Sequence, residues 1–301
     1  MKKPNITVIG SLNMDMTVET NVLPKPGETI FGEKFIYAPG GKGNNQAVSI
    51  SRLGADVNFI GCVGDDANGN MLKENLIKEN ISTEHITTIS NIETGTALIT
   101  LKKEENNIIV IKGANNHLSP EIIEQKEDVI RESDYLLIQL EIPLQTVEVI
   151  IKIANKVNTP VILNPAPATT LSSEIIDKVA LITPNEHEID KLFLKKSGEE
   201  KNAYDIMLSF PEKIIMTKGK EGVFYVNKQK KLINIPAYPI KSVDTTGAGD
   251  SFNAGLTVKL SEGENLQRSL EYAVIVGAFS TKKVGAQSSL PYKNDVERVI
   301  I

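Results

Sequence analysis

YLLIQLEIPLQTVEVIIKIANKVNTPVILN, residues 135–164, sets a helical pattern between two short apolar runs. YLLIQL (135–140) and VILN (161–164) are bounded by polar, Gly or Pro residues and read as buried strands. The 144–157 segment between them reads as a helix. A strand, a helix and a strand in so short a span imply parallel pairing through a right-handed crossover. The alternation continues outward in both directions. ITVIG (6–10), VNFIGCV (57–63), LIT (181–183) and KIIMT (213–217) are further strands, and 44–53, 67–79, 119–131 and 186–195 are helix-like. The expected fold is α/β: a doubly wound, mostly parallel sheet with helices on both faces. In such sheets ligands bind beyond the carboxyl ends of the strands, where most polar motifs of this chain fall.

Two regions break the pattern. Residues 12–40 carry strand-like pieces separated by Pro24, Pro26 and Gly27, and TALITLKKEENNIIVI (96–111) reads as a hairpin with a charged turn. They are expected to form one small β-sheet, a lid or an interface spanning about 12–40 and 96–112, on a single domain of residues 1–301.

Composition narrows the function. A net charge of -5, with no Lys/Arg cluster, argues against nucleic acid as a partner. The single cysteine, Cys62, excludes an intramolecular disulfide, and three scattered histidines argue against zinc. No run approaches the roughly 18 apolar residues that would span a membrane. The apolar stretch near the start is too short for a signal-peptide core, so a cytoplasmic setting is expected.

VDTTGAGDSFNAG (243–255) places two glycines before an apolar helical run. Such a turn is a ready anion site, because free amides and the helix dipole favour negative charge there. It is neither a dinucleotide fingerprint nor a phosphate loop with a G-K-[ST] ending. A plain capped helix start is the bland alternative. Asp250 would repel a merely bound anion, yet it suits a base that takes a proton from an attacking hydroxyl while amides hold the developing charge.

Four other stretches carry polar groups. In SLNMDMTV (11–18), Asn13, Asp15 and Thr17 share one strand face, which fits vicinal hydroxyls or simply a half-exposed strand. PGGKGNNQAVSISRLGA (39–55) gathers glycines, Lys42 and Asn45 before a helix; the glycines permit close approach to a ligand. TPNEHE (183–188) spaces Asn185 and Glu188 as a capping box would, or as a pair reaching a magnesium ion directly or through water. TKGKEG (217–222) is a glycine turn after a strand, suited to contacting a nucleotide.

Taken in order, GSLNMDM, PKPGETIFG, GGKGNNQAV, the 95–118 hairpin with GAN, QLEIPL, LNPAPA, TPNEHE and VDTTGAGDSF resemble the ribokinase-like family of carbohydrate and nucleoside kinases, nearly end to end. The resemblance implies a lid that closes over a sugar and pairs with a second lid in a homodimer. It implies ATP-dependent phosphorylation of the 5-hydroxyl of D-ribose, with Mg2+ and with K+ as an activating cation. Asn13, Asp15, Gly41, Lys42, Asn45 and Glu141 would hold the sugar. Asp250 would be the base, with Gly247, Ala248 and Gly249 supplying anion-hole amides. Asn185, Thr217, Gly219 and Gly222 would line the nucleotide, with Gly249 at its phosphates. Asn185 and Glu188 would act on magnesium indirectly. Asp244, Thr246, Ser280, Lys283, Gly285 and Ser289 would surround the monovalent cation, several through backbone carbonyls. A kinase for deoxyribose, another sugar or a nucleoside is the alternative within the class. A non-catalytic sugar-binding regulator is the alternative outside it, though a binder has no use for a base beside an anion hole.

Overall fold

The computed structural model describes residues 3–102, 105–192 and 202–299. Its strands are β1 (Asn5–Ile9), β2 (Asn13–Glu19), β3 (Lys34–Gly40), β4 (Asp56–Gly64), β5 (Ile86–Ile89), β6 (Gly95–Lys102), β7 (Glu105–Ile111), β8 (Tyr135–Gln139), β9 (Val161–Asn164), β10 (Leu181–Ile182), β11 (Ile215–Thr217), β12 (Val223–Val226) and β13 (Leu232–Ile235). The main sheet has the order β10-β9-β8-β1-β4-β5 and every pair in it is parallel. Helices cover both faces, which is why its strands read as continuous apolar runs. Leu137 and Ile162 join the core under the Lys42–Arg52, Ala248–Ser261 and Leu266–Ser280 helices. Their neighbours Leu136, Ile138, Val161 and Leu163 face the other way, into the core under the Leu144–Val157 helix.

The chain leaves β1 towards β4 and β5, then returns to the opposite side of β1 to lay down β8, β9 and β10. The strand order therefore reverses at β1 and β8, and the crevice beyond their carboxyl ends is where such sheets bind ligands.

Three local readings change. The 119–131 segment folds as two short helices, Pro120–Glu124 and Glu127–Arg131, because Lys126 leaves the helical region at ψ 18 and its N–H closes a tight turn on Ile123 O. The 186–195 segment is helical over Ile189–Leu192, and residues 193–195 lie outside the described residues. VFYV and LINI form an antiparallel hairpin that periodicity passed over, β12 with β13. With β11 it continues the main sheet through parallel bridges Ile182↔Ile214 and Asn185↔Thr217.

A second sheet has the order β3-β2-β6-β7, β2 being antiparallel to β3 and parallel to β6. The expected charged turn between β6 and β7 includes positions 103–104, outside the described residues. Register puts Asp15 between Ala38 and Ala97 on one face, and Met16, Tyr37, Leu98 and Ile109 together on the other. The alternation of Asn13, Asp15 and Thr17 is thus the pleat of β2.

Candidate active site

The crevice is built first by close backbone approach. Gly41 has φ 90, and a Cβ there would lie 2.8 Å from Asn13 N and 3.0 Å from Ser11 O, so only glycine fits. The Lys42–Arg52 helix consequently starts against the end of β1. Glu141, just beyond β8, accepts the Lys42 N–H at 3.0 Å and the hydroxyl of Ser11 through the same Oε2. Asn13 is oriented by Asn115, whose Nδ2 donates to Asn13 Oδ1 at 2.8 Å while its own Oδ1 accepts Leu12 N–H at 2.9 Å.

The second wall is the Ala248–Ser261 helix. It begins at Gly247, φ 79, and no side chain caps it. The Ala248 N–H is engaged by Thr245 O at 3.1 Å, which leaves the neighbouring amides of Gly247 and Gly249 for an anion. A Cβ on Gly249 would meet nothing within 4 Å, so open space lies before the helix start.

Asp250, in the first turn, is only 7% exposed. Its Oδ2 accepts from Asn45 Nδ2 at 3.1 Å and its Oδ1 from Gln46 Nε2 at 3.0 Å. Burial raises its pKa; Lys42 and the two amides oppose the rise, Glu141 adds to it, and the net shift is upward. Burial also raises Asp15, helped by Glu141 and Asp250, to about 7. For Lys42, burial alone would lower the pKa, but Asp250, Glu141 and Glu188 outweigh it and hold the ammonium. One cation thus sits among carboxylates beside an uncapped helix start. A basic, buried carboxylate next to an anion site can deprotonate a hydroxyl as it attacks phosphorus.

At the Asn185 turn the capping box is made. Asn185 Oδ1 accepts the N–H groups of His187 and Glu188, both at 2.8 Å, and Glu188 Oε2 accepts Asn185 N–H at 2.9 Å. Two donors occupy both lone pairs of the Asn185 carbonyl, so its remaining function is as a donor, through Nδ2. Glu188 retains acceptor capacity, and burial raises its pKa against the lowering by Asn185 N–H and Lys42. Thr217 bridges to Asn185, and the turn after it closes through Lys218 N–H to Gly222 O at 2.8 Å. Gly219 and Gly222 stand on that turn, beside the Asn185 cap.

Of the expected cation residues, Asp244 joins the two loops. Its Oδ1 accepts Thr246 N–H at 2.9 Å and Thr246 Oγ1–H at 2.7 Å, and its Oδ2 accepts Gly285 N–H at 2.8 Å. Burial works against the charge, but these donors outweigh it and hold the pKa down. The Ser280 and Ser289 hydroxyls donate to Gly277 O and Ala286 O, which leaves their oxygens as acceptors. The Lys283 side chain is exposed, so only its backbone suits a cation. One carboxylate among neutral oxygens fits a monovalent ion.

Ser11, Gln46, Asn115, Gln139 and Asn164 are the site-forming residues that motif reading missed. Gln139 and Asn164 left a signal as polar residues at the ends of apolar strands. Gln46 left another, on the same helix stripe as Ile50 and Leu53, both buried.

The sequence matches the description pfkB family carbohydrate kinase over residues 3–293. It is 41% identical to the ribokinase of Bacillus subtilis, covering 98% of this chain and 99% of the relative. The ribokinase structure from Thermotoga maritima aligns with a TM-score of 0.89 at 36% identity, over 98% of both chains. That of Arabidopsis thaliana, complexed with ribose and ATP, aligns with a TM-score of 0.90 at 29% identity over 99% of both. The chain belongs to the pfkB family of carbohydrate kinases.

Proposed function

We propose that the protein transfers the γ-phosphoryl group of ATP to the 5-hydroxyl of D-ribose, giving ribose 5-phosphate and ADP. The observation that carries this reading is Asp250, held by two amide donors at an uncapped glycine-rich helix start. The match to relatives named as ribokinases supports ribose as the sugar.

In this reading Asn13, Asp15, Lys42, Asn45 and Glu141 bind the sugar, with Gly41 giving its ring room. Asp250 takes the proton of the 5-hydroxyl as its oxygen bonds to phosphorus and the bond to the ADP oxygen breaks. The amides of Gly247 and Gly249 hold the charge on the equatorial oxygens, and Lys42 adds a positive field between sugar and phosphates. Ala248 serves as the first helical residue, its N–H being engaged by Thr245 O. Asn185, Thr217, Gly219 and Gly222 line the nucleotide. Bound Mg2+ would supply charge neutralisation for the phosphates; Glu188 would act on it indirectly, and Asn185, whose Oδ1 is engaged by two N–H groups, would donate from Nδ2 to a phosphate oxygen. K+ would be held by Asp244 and oxygens of Thr246, Ser280, Lys283, Gly285 and Ser289, stiffening the loop that leads to Gly247.

The β3-β2-β6-β7 sheet acts as the lid and excludes water, which would otherwise accept the phosphoryl group. Its outer face makes a homodimer, supported by exposed Phe35 and Ile109. The use of ATP fits a cytoplasmic location.

ADP release measured over pentoses, hexoses and nucleosides, with and without K+, tests the reading. Ribose is expected to give the highest kcat/KM. A nucleoside or hexose outperforming it would overturn the substrate assignment.

A further inference from the structure

Behind Asp250 runs a chain of buried amides that the reaction itself does not use. Gln46 is fully buried, and its Nε2 donates to Asp250 Oδ1 at 3.0 Å and to Asn164 Oδ1 at 3.1 Å. Its Oε1 accepts from Gln139 Nε2 at 2.5 Å. Both donors and the carbonyl of one side chain are therefore engaged. Asn164 continues to Thr183 O at 3.4 Å, Thr183 Oγ1 donates to Asn253 Oδ1 at 2.6 Å, and Asn253 Nδ2 donates to Gly249 O at 2.8 Å. The chain starts at the base and ends on the peptide of an anion-hole residue.

Its polarity is determined at one end. A carboxylate offers only acceptors, so Gln46 must turn its NH2 towards Asp250. Gln139 must then present its NH2 to the Gln46 carbonyl, and Asn164 its oxygen to the Gln46 NH2. Apolar residues would fill these positions with less desolvation cost, and Gln139 Oε1 is buried with no hydrogen-bond partner. Every donor adjoining Asp250 favours its ionised form.

We infer that Gln46 is a positioning residue: braced by Gln139 and Asn164, it fixes the Asp250 carboxylate plane and keeps the base ionised. This rests on Asp250 being the base. Gln46 acts through Asp250: its NH2 and its carbonyl are already engaged by Asp250, Asn164 and Gln139. The other charged groups facing Asp250 are Lys42 at the start of the helix that carries Gln46, Glu141 from beyond β8 and Asp15 from β2. All three stay in place when the amides are altered.

The test is the pH profile of kcat for Gln46→Met, which keeps the volume and removes the donors. The expected result is a fall in kcat of roughly tenfold or more at neutral pH. The acid limb should move up by about one pH unit, with the KM for ATP unchanged. Gln139→Met, one bond further back, should shift the limb the same way by less. Gln139→Glu should cost more than Gln139→Met, because the new carboxylate draws the Gln46 NH2 and turns its carbonyl on Asp250. Reduced stability with an unmoved acid limb in Gln46→Met would overturn the inference; if that variant does not fold, an unmoved limb in Gln139→Met would. Each variant is read against the parent with the parent's best acceptor, so a wrong sugar leaves the test standing. Full turnover in Asp250→Asn would remove the base and the inference together.

Discussion

Asn45 Nδ2 donates to Asp250 Oδ2 at 3.1 Å, joining the first turns of two helices whose contact residues stand 205 positions apart. One bond thus links a residue expected to hold sugar to the residue expected to deprotonate it. Asp250→Asn keeps the shape and removes the base. Turnover should fall roughly 100- to 10,000-fold, the usual range for a general base. ATP should still bind, as calorimetry would register. Undiminished ADP release would sink the assignment.

Asp15 carries a pH dependence whose sign can be worked out. Its folded-state pKa is raised to about 7 by burial, then by Glu141 and Asp250. In the unfolded chain the group ionises near 3.8, so between the two values the folded state binds more protons. Its favourable contribution is full below the unfolded value and is lost as pH rises through about 7. Asp15→Asn should therefore melt higher than the parent in the ligand-free protein, by a margin that widens between pH 4 and 7 and then levels off. Ribose affinity should move the opposite way, strengthening as pH rises through 7, because the ionised carboxylate offers one acceptor oxygen to each of two vicinal hydroxyls, whereas protonation turns one of those oxygens into a donor. Equal affinity for ribose and 2-deoxyribose would remove Asp15 from that role.

What the sequence made legible follows from which forces act locally. The parallel sheet was readable because strands covered on both faces must be apolar throughout, as in YLLIQL and VILN. The GAGD turn was readable as a helix start because Gly247 takes a left-handed φ of 79 there and Asp250 follows in the first turn. The β12–β13 hairpin was not, since β13 is largely exposed and its alternation short. Gln46, Gln139 and Asn164 were missed for a different reason. They come from three separate elements, and their meaning lies in bonds that form only after the sheet has brought those elements together.

The face of the β3-β2-β6-β7 sheet bearing Met16, Tyr37, Leu98 and Ile109 should be an interface. Phe35 is 60% exposed and Ile109 65%, a poor surface for a lone β-sheet. Ile109→Glu should shift the sedimenting species from dimer to monomer and raise the KM for ribose while the core melts as before. A monomeric parent chain would dispose of this expectation.

Asp244 ties the Thr246 loop to Gly285, and its low pKa means it stays charged throughout the neutral range. Replacing sodium by potassium should raise kcat in the parent protein. Asp244→Asn should abolish most of that difference, because a neutral amide removes the only formal charge offered to the cation. The same response to both ions in the parent would remove the cation from the mechanism.

Arg52 clamps the 287–290 segment to the Lys42–Arg52 helix. Its Nη2 and Nε pair with Glu79 at 2.6 and 2.9 Å, while Nη1 donates to Gln287 O at 2.7 Å and Leu290 O at 3.1 Å. Its guanidinium also lies 5.0 Å from the centre of the Tyr292 ring. Both partners of the ion pair are largely shielded, with side-chain exposures of 12% and 17%. Arg52→Met would strand a buried carboxylate and two carbonyls, so urea unfolding should report a loss of about 3–5 kcal/mol. Adding Glu79→Gln should recover part of it by removing the stranded charge. Arg52→Lys should keep most of the loss, because an ammonium cannot span the carboxylate and both carbonyls in one plane. If the clamp also holds Gly285 and Ser289 in place, the potassium response should weaken in Arg52→Met and return with neither second change. A full potassium response in a folded Arg52→Met protein would confine the clamp to stability alone.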